Sequence, residues 1–203
     1  MGCKYELTDE STTINGHVLY RIKAIYGLET KHGTVKSGDL GGYVESEDNL
    51  SQEDKCWIYD DAKVYGNAQI FEDAIIRDNA QVYGNAKVYG EAEIRDNAIV
   101  FGNAEVYDNA LIENDAKVYD DSEICGDAWI YGNSKVYGEA QVKESSEVSE
   151  DAQVFGEAFV GGMAQVYGNA KISEHAWING YALVFGTSDI KGHTNICGHQ
   201  AIG

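Results

Sequence analysis

Val82-Tyr83-Gly84-Asn85-Ala86-Lys87 is followed at once by Val88-Tyr89-Gly90-Glu91-Ala92-Glu93. The two phrases carry the same residue classes in the same order. Each has a branched aliphatic, an aromatic, a glycine, an amide or acid, an alanine and a variable residue. Outward from this pair the phrase runs without a slip from Ile58 to Ala201, which makes 24 hexads, and all 24 first positions are Val or Ile. The fifth position is Ala in 18 of them, the exceptions being Ser122, Ser134, Ser146, Ser188, Thr194 and Gln200. A helix needs apolar spacings of three and four, and a free strand needs strict alternation, so a period of six serves neither. It does suit a short strand followed by a tight corner, the signature of a β-solenoid.

Within that unit the first and fifth positions point inward, so a large Val or Ile meets a small Ala or Ser. The second and sixth positions flank the inward aliphatic and face outward. Gly, Asp and Asn at positions three and four tolerate the positive backbone dihedrals of a corner. Three sides close a triangular coil of about 18 residues, and coils stack at roughly 4.8 Å. Eight coils then form a rod roughly 40 Å long.

The Val-Tyr-Gly-Asn-Ala repeats resemble the hexapeptide-repeat left-handed β-helices. Three further stretches, Gly38-Asp39-Leu40-Gly41-Gly42-Tyr43-Val44, Asn49-Leu50-Ser51-Gln52 and Cys56-Trp57-Ile58-Tyr59, bring the chain closer to the YdcK-like β-solenoid proteins of bacterial and phage genomes. The resemblance implies an all-β, single-stranded parallel β-helix and its left hand, because the general rule for parallel crossovers favours the right. It also suggests a phage or prophage origin.

At 203 residues the chain has room for one or two domains. Residues 1–43 break the period. Tyr5-Glu6-Leu7 and His17–Ile25 read as strands around a turn near Asn15-Gly16, an N-terminal β-hairpin cap over an otherwise open edge. Residues 44–203 form the solenoid, Val44 and Leu50 starting a first, irregular coil. With no signal peptide, long apolar run or lipidation motif, the expected location is cytoplasmic, in the host cytoplasm for a phage protein. Cys3, Cys56, Cys125 and Cys197 lack metal-ligand spacing and read as reduced thiols. The formal net charge of −19 argues against nucleic acid and anionic membrane as partners. Acidic corners that keep a rod soluble account for the charge; a DNA-mimicking rod aimed at a basic host protein is an alternative.

Adding 18 to a residue number maps the three faces. The first carries an aromatic ladder, Tyr65, Tyr83, Phe101, Tyr119, Tyr137 and Phe155, beside Lys63, Gln81, Ile99, Lys117, Lys135, Gln153 and Lys171. Stacked aromatics stabilise neighbouring strands by a few tenths to about 1 kcal/mol per pair, and such a face also suits self-association or a partner. The second face carries Trp57, Ile75, Leu111, Trp129 and Leu183, with Tyr131 beside them. Outward Trp, Ile and Leu make it the expected subunit interface of a dimer or trimer. Arg77 and Arg95 stand one coil apart on it. They repel unless an anion lies between them. Glu93 and Glu113 supply one as structural ion pairs, or a small phosphorylated ligand does, with Tyr59 stacking on it. The third face, with Phe71, Tyr89, Tyr107 and Cys125, suggests no chemistry.

The enzyme reading is acyl transfer, since many hexapeptide-repeat proteins are trimeric acyltransferases with a histidine base. His175 and His193 stack above Glu157 on one corner, as such a base requires. No insertion interrupts the hexads after Ile58 to wall a coenzyme cleft. The sequence thus predicts a rod with no catalytic residue, cofactor or metal site, which binds itself and an anionic ligand or basic host protein.

Overall fold

The computed structural model describes residues 2–203. Strands β1 (Tyr5–Ile14) and β2 (His17–Ala24) form an antiparallel hairpin. Its turn is Asn15-Gly16, both at positive φ (51° and 87°), which matches the right-handed strand twist of a two-residue turn. A second small hairpin, β3 (Leu28–Thr30) and β4 (Gly33–Val35), follows. Strand β5 (Leu40–Val44) pairs antiparallel with β2 on one side and parallel with Lys63–Val64 on the other. The N-terminal hairpin is therefore continuous with the first face.

From there the chain is a β-solenoid of two-residue strands, one per hexad. The first face is an 11-stranded sheet, the second has nine strands and the third eight. From Trp57 onward partners are 18 residues apart, as in Gln81 with Ile99 and Glu93 with Leu111. The coils number nine, not the eight counted from the regular hexads. Val44 pairs with Val64, Leu50 bridges to Ile70, and Ile202 pairs with Val184, adding three inward positions to the 24. The extra coil escapes the count because residues 51–57 lengthen its corner.

Of the 24 first-position residues, 23 are buried; Ile190 is half-buried in the ninth coil, above which no coil packs. All 18 fifth-position alanines are buried as well. Ser134 and Ser146 replace alanine by donating their hydroxyls to the carbonyls of Tyr131 and Lys143, both at 2.7 Å. A buried hydroxyl is tolerated there because it is satisfied within its own corner.

The corner is where the coil closes. Every third-position residue from Asp60 to Gly198 has positive φ, between 53° and 76°, and ten of the 24 are not glycine. Amides at positions two, four and six donate to the coil above, as in Tyr83 to Val100, Asn85 to Gly102 and Lys87 to Ala104. The third-position amide is left over. In eight of the ten non-glycine corners the side chain accepts from the third-position amide one coil higher. Glu72 takes the Gly90 amide at 2.8 Å and Asp108 the Gly126 amide at 3.1 Å. Seven of the chain's 34 acids, with Asn114, are thus acceptors for an otherwise orphaned backbone donor. Position four adds a second ladder, in which Asn67, Asn85, Asn103 and Asp121 are linked by amide-to-oxygen bonds of 3.0, 2.8 and 2.7 Å.

Asp108 separates the two contributions. Asp108→Ala keeps the strained φ and loses the bond to Gly126, so urea denaturation should show a loss of about 1–3 kcal/mol. Asp108→Gly loses the same bond but relieves the backbone, and should stay within about 1 kcal/mol of wild type.

Candidate functional site

The second face carries outward apolar groups and the arginine pair Arg77 and Arg95, and its first three coils are crossed by the β3–β4 arm. Leu28 and Val35 join the interior apolar cluster. Thr30 Oγ1 lies 2.7 Å from the Tyr59 hydroxyl. At the arm's tip His32 Nε2 is 2.9 Å and Lys31 Nζ 3.6 Å from Glu93 Oε2, and Lys31 also donates to the Glu91 carbonyl. Under this arm Trp57 and Ile75 are 1 % and 0 % exposed. Neither can meet another subunit while the arm is in place, which corrects their assignment to an interface. Their outward direction was read correctly; what covers them is the chain's own N-terminal segment. Its signal in the sequence is slight, two apolar residues around the Lys31-His32-Gly33 turn.

Arg77 and Arg95 do stand one coil apart, and the anions beside them are protein carboxylates. Arg77 Nε donates to Glu93 Oε1 at 2.7 Å, and its terminal nitrogen lies 3.1 Å from Asp78. Arg95 is bonded to Glu113 through both Nε and a terminal nitrogen, and sits 3.7 Å from Glu93. Glu93 therefore lies among Arg77, Arg95, Lys31 and His32. Burial pushes its pKa up, but the hydrogen bonds from Arg77 and His32 and the charge of Lys31 outweigh that and hold it below the usual carboxylate range. Glu113 is almost fully buried and also accepts from Trp129 Nε1 at 3.0 Å. Trp129 in turn stacks on Tyr131 with ring centroids 4.3 Å apart. These two aromatics roof an ion-pair network within the chain. Leu111 and Leu183 remain half-buried on the same face.

On the first face the aromatic ladder is in register. Centroids from Tyr65 through Tyr83, Phe101, Tyr119 and Tyr137 to Phe155 are 4.8–5.0 Å apart, with planes within 12° of parallel. The rings stack on one another and turn their edges outward. The foot of the ladder is closed: Tyr65 is buried against Leu19 and Tyr43, and its hydroxyl accepts from Asn15 at 3.3 Å. Along the edge that follows this ladder, His175 Nδ1 is 3.3 Å from Glu157 and its ring stacks on His193 at 4.8 Å. The adjoining groove, about 710 Å³, is lined by Asp120, Asp121, Glu139, Glu157 and Glu174 as well as His175. Five carboxylates there would repel the phosphates of an acyl-coenzyme donor.

The third face carries a feature the sequence reading passed over. Phe159 and Trp177 stack at 3.9 Å, and Trp177 is exposed, as are Met163 and Tyr181 on the neighbouring corner. Met163 and Tyr181 break the Asn/Asp habit of position four, which was the available signal. The four cysteines are free. Among the described residues no cluster of three metal-ligating side chains occurs, and no helix is long and apolar enough to cross a membrane. No protein-family model matches the chain, and no curated protein matches it.

Two outcomes follow from the Glu93–Glu113 network. Arg95→Ala strands the buried Glu113 carboxylate and should cost about 2–4 kcal/mol in urea denaturation, much of it recovered by adding Glu113→Ala. Glu93, whose folded pKa is depressed, contributes stability that is present above its unfolded pKa and is lost as pH falls through the folded value. Urea midpoints measured from about pH 6 down to pH 3 should fall less steeply in Glu93→Gln than in wild type.

Proposed function

We propose that this chain is a non-catalytic acidic scaffold, a rigid β-solenoid that associates with itself and presents flat faces to a binding partner. The observation that carries the reading is the unbroken register. Outward columns run coil after coil with no loop between them, so the surface offers repeated side chains on planes rather than a walled cleft. Such a surface favours recognition of an extended partner over turnover of a small substrate. The resemblance to YdcK-like β-solenoids supports a phage or prophage origin and a role in sequestering a host component or a small phosphorylated ligand in the host cytoplasm.

The arginine pair remains the place for such a ligand, but its phosphate would have to displace Glu93 or Glu113. That exchange sets a selective threshold, because the arginines already have charged partners. The acyltransferase alternative has His175 with its carboxylate neighbour in favour of it, in a groove whose charge disfavours the donor.

Light scattering at micromolar concentration should give a mass above one subunit, and a protein purified from its native source should carry its partner into small-molecule or intact-mass analysis. A single-subunit mass with nothing bound would count against the scaffold. Consumption of an acyl thioester, abolished by His175→Ala, would establish the enzyme reading instead.

A further inference from the structure

On a chain of net charge −19 the outward strand positions of the first face, from Lys63 to Ser173, include no Asp or Glu. They do include Lys63, Lys117, Lys135 and Lys171, none of which forms an ion pair among the described residues, whereas both outward arginines of the second face are paired. Lys63 donates to the Asp61 carbonyl at 2.7 Å and lies over the Tyr43 ring, but Lys117, Lys135 and Lys171 have no such bond on a stretch of face without carboxylates, and call for a partner that supplies one.

We propose that two copies of the chain pack through this face, side by side and parallel, related by a two-fold axis along the rods. The proposal rests on the self-associating reading above and names its surface. Such an axis keeps every residue at its own height and exchanges left and right across the face. The lysine column of one copy then lies against the far edge of the other, where position four of the next corner stands. Heights match residue n with residue n + 4 of the partner. Lys117 meets Asp121 of the partner subunit, and Lys135 meets Glu139 of the partner subunit. Asp189 meets His193 of the partner subunit. The neutral Gln81 and Ile99 fall opposite Asn85 and Asn103 of the partner subunit. Lys117 and Lys135 thus face carboxylates on both sides of the axis at once, while Gln153 falls opposite Glu157 of the partner subunit and Lys171 opposite His175 of the partner subunit. An antiparallel axis would instead set lysine column against lysine column.

The geometry is large enough. The N-terminal hairpin closes the face below Tyr83 through Asn15 and Leu19. Five coil spacings from Gln81 to Lys171 leave a plane of roughly 25 Å by 20 Å, which buries about 1,000 Å² between two chains, the lower end for a specific interface. The exposed edges of Tyr83, Phe101, Tyr119 and Tyr137 form its centre, and hydroxyl-bearing aromatics suit a buried interface core.

Charge exchange tests this directly on the full chain, with mass measured by light scattering at micromolar concentration and folding checked by circular dichroism. Lys117→Glu with Lys135→Glu should raise the dimer dissociation constant at least about ten-fold, and Asp121→Lys with Glu139→Lys should do the same. An equimolar mixture of the two double variants should regain the dimer, since each then meets its opposite charge across both edges. A misfolded chain could not regain a partner, so recovery also excludes misfolding. A dimer that persists in either double variant alone, or a mixture that stays monomeric, overturns the proposed face while leaving self-association intact. A monomeric wild type overturns both.

Discussion

One backbone conformation governs the molecule: the left-handed residue at the third position of every hexad. It turns the chain by about a third of a circle after each two-residue strand, and 18 residues later the next strand lies on the last. Its cost is real, because ten of these residues carry a side chain at positive φ. It also leaves one amide per hexad, that of the third position, without a backbone acceptor. An acid or amide side chain in the coil below answers both difficulties. Asp and Asn enter the left-handed region more readily than other residues, and their oxygens reach the orphaned donor. Where the third position is glycine, as at Gly84, the closeness of the next coil matters instead, since a Cβ would come to 3.0 Å from the Gly102 backbone.

Much of this was legible in the hexads. Inward and outward positions, the 18-residue register, the stacked ladder from Tyr65 to Phe155 and the Arg77–Arg95 neighbourhood all follow from adding six and eighteen. The ninth coil was hidden by the irregular corner between Leu50 and Ile58, where the count fails before the geometry does. The upward bond of the third-position acids was hidden for a different reason. Composition shows an Asp or Glu at a corner, but only coordinates show which amide lacks a partner. The largest omission was the β3–β4 arm. Periodicity says that Trp57 and Ile75 point out of the coil; it says nothing of a non-repetitive segment returning to cover them. An outward apolar residue is exposed only if no part of the same chain reaches it.

That covering redistributes the surface. The apolar beginning of the second face is spent on holding the N-terminal arm, and its aromatic middle roofs the Glu113 ion pairs. Trp177, Met163 and Tyr181 stay exposed around the third face, and on the first face lysines without ion pairs run beside ring edges on a flat sheet. Charge rather than hydrophobicity then distinguishes the faces of this rod. The third-position acids sit where the backbone needs acceptors, and the outward strand positions of the first face from Lys63 to Ser173 carry no negative charge.

Amide hydrogen exchange measured by NMR tests the corner account most directly. The third-position amides of Gly90 and Gly126 lie above Glu72 and Asp108 and donate to their carboxylates, whereas those of Gly84 and Gly102 lie above glycines. The account predicts that Gly90 and Gly126 exchange at least about ten-fold more slowly than Gly84 and Gly102. Equal rates in the two pairs would contradict it, and with it the claim that the third-position acids serve the backbone.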